Sequence, residues 1–280
     1  MFLARDPASL DRALAGARRR RRRVGLVPTM GALHAGHETL IRESLHRCDR
    51  TVVSIYVNPL QFDSAADFGR YPRPLRRDLA VLRRLGVDVA YCPKPSVFPA
   101  GCALRVTEPR VSEILEGRVR PGHFEGVLTI VAKLFLQVRP THVFFGEKDF
   151  QQLWLIRRLL REFRFGIELV AVPTVREPSG LACSSRNELL SARGRRRAAE
   201  IYHALSSAAR RAGSGGRPVS IVAQVRRRLM EKKIRPEYIV LVDPVDFTPA
   251  RRLIRPGARP RLLAGCRIDG IHLIDNISIP

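Results

Sequence analysis

Hydrophobic positions along the chain change period repeatedly, and each change marks an expected element. Pro7 to Ala17 reads as a helix, and Val24-Gly25-Leu26-Val27 as a short buried strand. Leu40, Ile41, Ser44 and Leu45 recur at helical spacing within Glu38 to Arg47, and the β-branched, apolar run Thr51 to Val57 predicts a strand. A helix is expected over Leu75 to Leu85, a strand over Val87 to Tyr91, a helix over Val127 to Val138, a strand over His142 to Phe145 and a helix over Gln151 to Phe163. Strands alternating with helices imply right-handed βαβ units around a parallel sheet.

The texture changes after Pro173. A polar segment (Arg176 to Asn187) precedes a long Arg/Ala-rich helical region from about Ala192 to Arg211 and a Gly-Ser stretch, Gly213 to Gly216. Another helix follows, with short strands at Tyr238 to Val242, Arg261 to Arg267 and His272 to Ile274. The expectation is α/β: a parallel-sheet domain over residues 1–174 and a smaller α+β domain over residues 175–280.

Composition narrows the function classes. No apolar run in the 280 residues approaches the ~18 that a membrane span needs. Yet 45% hydrophobic residues is too many for a disordered polycation. The five cysteines, Cys48, Cys92, Cys102, Cys183 and Cys266, contain no C-x-x-C pair, which argues against a disulfide framework or a zinc ribbon. With no apolar stretch near the start, a cytoplasmic setting is expected. The net charge is +24, and five of the 50 basic residues are Lys, leaving 45 Arg. Spread along the chain without interleaved aromatics, this reads first as a solvated basic surface. At most it predicts weak, sequence-indifferent nucleic-acid binding, with Arg18 to Arg23 as the densest run.

Candidate chemistry sits where strands give way to helices, the edge at which open α/β sheets bind ligands. Pro28-Thr29-Met30-Gly31-Ala32-Leu33-His34-Ala35-Gly36-His37 follows one strand. Two histidines three apart at a helix start, framed by glycines, suit contact with phosphate. Asn58-Pro59-Leu60-Gln61-Phe62 places two neutral amides after the next strand, suited to hydroxyl and carboxylate groups. Arg120-Pro121-Gly122-His123-Phe124 offers cationic and imidazole donors in a compact loop, and alone says little. Phe145-Gly146-Glu147-Lys148-Asp149-Phe150-Gln151-Gln152 adds an ammonium at a third strand end. Ser184-Ser185-Arg186-Asn187 has no nucleophile-elbow frame, so phosphate contact is a better reading than covalent catalysis.

Taken together, the stretches VPTMGALHAGH, VSIYVNPLQF, RPGHFEGVLT, FFGEKDFQQL, REPSGLACSSRN and HLIDNI resemble the pantoate–β-alanine ligase (pantothenate synthetase) family of the nucleotidyltransferase superfamily. The resemblance implies a Rossmann-like N-terminal domain binding nucleotide and pantoate, a C-terminal lid domain and a homodimer. It implies ATP-dependent joining of pantoate and β-alanine through a pantoyl-adenylate, releasing AMP and diphosphate, with Mg²⁺. Carried over by motif, the ATP site would comprise Met30, Gly31, Ala32, Leu33, His34, Ala35, Gly36 and His37. Gly146, Glu147, Lys148, Asp149, Val175, Cys183, Ser184, Ser185 and Arg186 would complete it. Gln61 and Gln152 would hold pantoate, and His34, His37 and Lys148 would be the catalytic groups, His37 as the acid.

Three positions depart from the family's pattern. Cys183 stands where Met or Leu is more usual, and Arg76 and Arg77 occupy a helix start where relatives tend to be acidic. Asp78 is the carboxylate left there, and no metal ligand is assigned. Two rivals remain open on residues alone: a tRNA synthetase catalytic fragment, and an RNA-binding protein on a degenerate synthetase fold. The chain has no room for an anticodon-binding domain, and the intact donor set argues against the second.

Overall fold

The structure is a computed structural model describing residues 1–98, 104–212, 217–250 and 259–279. Cys102 and the stretch Gly213 to Gly216 lie outside the described residues. The elements run β1 (Phe2–Ala4), α1 (Pro7–Arg19), β2 (Val24–Thr29), α2 (Ala35–Arg47), β3 (Arg50–Ile55), α3 (Ala65–Arg70), α4 (Leu75–Leu85), β4 (Val89–Tyr91), α5 (Glu116–Val119), α6 (His123–Val138), β5 (His142–Gly146), α7 (Phe150–Glu162), β6 (Glu168–Val172), α8 (Ala192–Ala212), α9 (Pro218–Glu231), β7 (Pro236–Val242), β8 (Arg261–Ile268) and β9 (Ile271–Ser278). By contacts they divide into two compact units. One is Met1–Glu147 with Gln151–Pro173; the other is Lys148–Phe150 with Thr174–Pro280.

The first unit is a Rossmann-like, six-stranded parallel sheet in the order β1-β4-β3-β2-β5-β6. From β2 the chain steps outward to β3 and then β4, and later returns to place β5 on the other side of β2. The strand order therefore reverses between β2 and β5, and the carboxyl ends at such a reversal are where open α/β sheets bind ligands. Register aligns those ends: Thr29 of β2 lies beside Ile55 of β3, and Leu26 of β2 beside Val143 of β5. One core cluster joins Val27, Val53 and Phe144 to Leu40 and Ile41 of α2 and Leu79 and Leu82 of α4. These helices are amphipathic, so burying one stripe on the sheet leaves their Arg-rich faces to water.

Element ends differ from the sequence pattern for local reasons. α2 begins at Ala35 rather than Glu38 because His34 caps it. β3 stops at Ile55 because Asn58 accepts the Leu60 N–H and closes a 3₁₀ turn over Pro59–Gln61. The edge strands β1 and β6 carry little alternation to announce them.

The second unit lays α8 and α9 over the antiparallel sheet β7-β8-β9. The Ala-rich side of α8 (Ala198, Ala204, Ala208) packs with Val225 and Leu229 of α9 and with Leu262 and Ala264 of β8. Small side chains let the layers approach closely.

Candidate functional site

The loop after β2 is built by hydrogen bonds that its sequence does not display. Thr29 Oγ1 donates to the Ser54 carbonyl at 2.7 Å and accepts from Gly31 N–H at 3.1 Å. Gly31 takes φ +82°, and a Cβ there would fall 2.8 Å from Asp78 Oδ2 and 3.1 Å from Ile55 Cγ2, so only glycine fits without rearrangement. Asp78, 2% exposed, reaches in from α4: its two oxygens accept from Ala32 N–H and Leu33 N–H, each at 2.9 Å. The buried carboxylate fixes the loop whose next residues are the two histidines.

His34 is the N-cap of α2, its Nδ1 accepting from Gly36 N–H at 3.1 Å, and His37 Nδ1 accepts from His34 N–H at 3.4 Å. The rings sit 4.0 Å apart, centre to centre. Since both Nδ1 atoms accept, the neutral rings carry their protons on Nε2. Two imidazole N–H donors at a helix N-terminus suit an anion, and the positive end of the helix dipole adds to them.

The turn after β3 is held as firmly. Gln61, 8% exposed, donates through Nε2 to Met30 Sδ at 2.8 Å, joining the two strand-end loops. Its Oε1 accepts from Asn58 Nδ2 at 3.2 Å, and that same amide donates to the Gly126 carbonyl at 3.0 Å. The Gln61 carbonyl takes Arg120 Nη2 at 3.1 Å and His123 Nδ1 at 2.8 Å. Arg120 Nη1 lies 3.2 Å from His123 Nε2 and can only donate, so Nδ1 carries the His123 proton to that carbonyl. The Arg120–His123 loop, weak as a motif, thus places Gln61. Gly146 ends β5 beside β2, and Glu147 follows it. Gln152 lies half-buried in the first turn of α7, while its neighbour Gln151 is buried and donates to the Val111 and Ile114 carbonyls.

The remaining candidates belong to the second unit. Val175 O accepts from Cys183 N–H at 2.9 Å, pairing the two backbones across the Glu177–Gly180 turn. Ser184 Oγ caps the 3₁₀ turn Ser185–Leu189, and buried Asn187 ties that turn to Glu177 Oε1 (3.1 Å) and the Ala182 carbonyl (3.0 Å). Lys148 Nζ lies 3.2 Å from Asp149 Oδ1.

Sequence reasoning gave Asp78 no role, and it read Asn58, Arg120, His123 and Asn187 only as members of donor motifs, without the backbone carbonyls they hold here. Asp78 did leave a sign: with Leu75, Leu79 and Leu82 it shares one helical stripe, and a carboxylate in an apolar stripe needs buried donors. Among the described residues no group of three His, Cys, Asp or Glu side chains is placed to hold a metal, and Asp78 is turned to backbone N–H groups.

A parallel sheet with anion-binding donors at its switch point defines a nucleotide-binding α/β enzyme. A profile described as pantoate–β-alanine ligase matches residues 3–278. Pantothenate synthetases from Ruegeria sp. (strain TM1040) and Chloroflexus aurantiacus (strain ATCC 29366 / DSM 635 / J-10-fl) are 45% and 44% identical to the chain. The alignments cover 91% and 90% of it, and the same shares of those proteins. The crystal structure of pantothenate synthetase from Thermus thermophilus superposes with TM-score 0.92 at 41% identity, over 100% of this chain and 99% of that one. The ligase from Francisella tularensis, complexed with β,γ ATP and β-alanine, gives TM-score 0.82 at 32% identity over 99% and 97%. The chain belongs to the pantoate–β-alanine ligase family and is an ATP-dependent, pantothenate-forming ligase.

Proposed function

We propose that the residues described above carry this condensation in two half-reactions. Pantoate's carboxylate attacks the α-phosphorus of ATP and expels diphosphate. The β-alanine amine then attacks the acyl carbon of the pantoyl-adenylate and releases AMP. The first step brings two anions together, so catalysis means alignment and neutralisation rather than a covalent enzyme nucleophile. The observation that carries this reading is the His34–His37 pair at the start of α2, each Nδ1 accepting from a backbone N–H so that each neutral ring carries its proton on Nε2.

In this reading His34 and His37 donate to the triphosphate, His37 acting as acid toward the leaving diphosphate. Gly31 to Leu33, Gly146 and Glu147 line the nucleotide, and Gln61 and Gln152 hold pantoate. Lys148 neutralises charge that develops on the phosphates. Val175 and Cys183 to Arg186 serve as a lid that shields the hydrolysable adenylate from water. Mg²⁺ bound with the triphosphate would add charge neutralisation beside His34, His37 and Lys148. The working form is a homodimer, to be read by sedimentation.

The test is to supply ATP and Mg²⁺ with candidate acids and measure diphosphate release. Pantoate should release it, and β-alanine should then yield AMP; no AMP with both acids present would overturn the assignment. Arg186→Ala should slow single-turnover adenylation more than it weakens pantoate binding. An unchanged rate would remove the lid role.

A further inference from the structure

One stretch of the chain has no part in the chemistry above. In HLIDNI, residues 272–277, Asp275 and Asn276 are consecutive and both buried, 5% and 4% exposed, although successive positions of a strand face opposite sides. Burying a carboxylate and an amide side by side is costly unless each has partners. Asp275 is held bidentately by Arg176, with Nη1 to Oδ2 at 2.6 Å and Nη2 to Oδ1 at 2.9 Å, and its Oδ1 also accepts from Asn276 N–H at 2.8 Å. The Arg176 guanidinium stacks over Tyr202 with Cζ 3.9 Å from the ring centre. Asn276 Nδ2 then donates to the Lys148 carbonyl at 2.8 Å.

We infer that Asn276, braced by Asp275 and Arg176, is a positioning residue that sets the Lys148 backbone and through it the reach of the Lys148 ammonium. Lys148–Phe150 leave the end of β5 yet pack with the second unit. Two further contacts pin the segment there: Phe150 stacks on buried Phe247 at 6.2 Å and 20°, and Arg261 Cζ lies 4.5 Å from the Phe150 ring centre. A buried ion pair contributes little net stability, but it defines a position well. Displacing a reacting group by about 1 Å can cost on the order of 10²-fold in rate. Phe150 remains anchored when the Asn276 bond is lost, so a smaller effect is expected. The inference rests on Lys148 acting in adenylation.

The experiment is a double-mutant cycle on the full-length enzyme with Mg·ATP and pantoate, read by rapid-quench measurement of pantoyl-adenylate. Asn276→Asp keeps the shape and removes the donor. It should slow adenylation about tenfold while leaving KM for pantoate within about twofold, and should add less than about twofold in a Lys148→Ala background. An unchanged rate for folded Asn276→Asp, or an effect that multiplies undiminished onto Lys148→Ala, overturns the inference. If Lys148→Ala by itself adenylates normally, the lysine assignment fails, and that result comes from a protein in which Asn276 is untouched. Should thermal melts show Asn276→Asp unfolded, Arg261→Gln carries the same cycle through Phe150. A smaller slowing that vanishes with Lys148→Ala supports the inference, and one that persists overturns it.

Discussion

A carboxylate buried to 2% exposure must be repaid by hydrogen bonds, and Asp78 obtains two from the backbone of the loop after β2. Asp78→Asn swaps one acceptor for a donor facing an N–H, leaving that N–H unpaired. A loss of about 2 kcal/mol in folding free energy is expected, with a raised KM for ATP, checked by urea melts and initial rates. Lysine chemistry gives a second test at this scale. In a chain with 45 Arg, a lysine at 148 stands against the local preference. An ammonium is a compact, rotatable charge, whereas guanidinium is a planar fork. Lys148→Arg should keep the fold and slow adenylation about 10²-fold, roughly 3 kcal/mol of transition-state stabilisation. Lys133→Arg, in α6, is the control and should matter less.

Elements meet at the site through close backbone approaches. α6 passes so near the Asn58–Gln61 turn that a Cβ on Gly126 would fall 2.3 Å from the Leu60 carbonyl oxygen and 2.6 Å from Gln61 N. Neither atom belongs to a flexible side chain, so the helix and the turn must separate. Gly126→Ala should therefore weaken pantoate binding several-fold and cost about 1–3 kcal/mol of stability, as overpacking does. A measured pantoate KM equal to that of the parent enzyme would show that the turn does not hold the substrate.

Across the whole molecule, charge and burial set the response to salt and pH. Arg21, Arg139 and Arg164 follow α1, α6 and α7 in left-handed conformations, at helix C-termini where cations are favoured, which accounts for a small share of the surplus. Binding to RNA or DNA through exposed arginines such as Arg19 to Arg22 should be weak and fade steeply with added salt; tight, salt-resistant binding to one RNA would contradict this. Burial pushes the Cys92 thiol up to about 11 and the Cys266 thiol up to about 12, from 9.0. Above pH 9 the unfolded chain loses those protons while the folded chain keeps them. Stability is therefore fully present below pH 9 and falls as pH rises toward 11 and 12, by at most about 1.4 kcal/mol per pH unit for each thiol. Urea midpoints at pH 8 and pH 10.5 should separate for the parent enzyme and draw closer for Cys266→Ala.

What the sequence determined by itself is periodicity and local chemistry. The helix α4 appeared with the ends its pattern predicts, and the βαβ alternation implied the parallel sheet, because both follow from which side chains seek the core. The histidine pair and the strand-end motifs were legible for the same reason: each lies within a few adjacent residues. Tertiary structure alone decided what joins residues far apart in the chain. Asp78 reaches the loop at Ala32, Arg120 and His123 hold the Gln61 carbonyl, and Asn276 takes the carbonyl of Lys148. These bonds link side chains to backbone groups, and every residue type presents the same N–H and C=O. No pattern of residue types can announce such partners, and only the folded path of the chain brings them within reach.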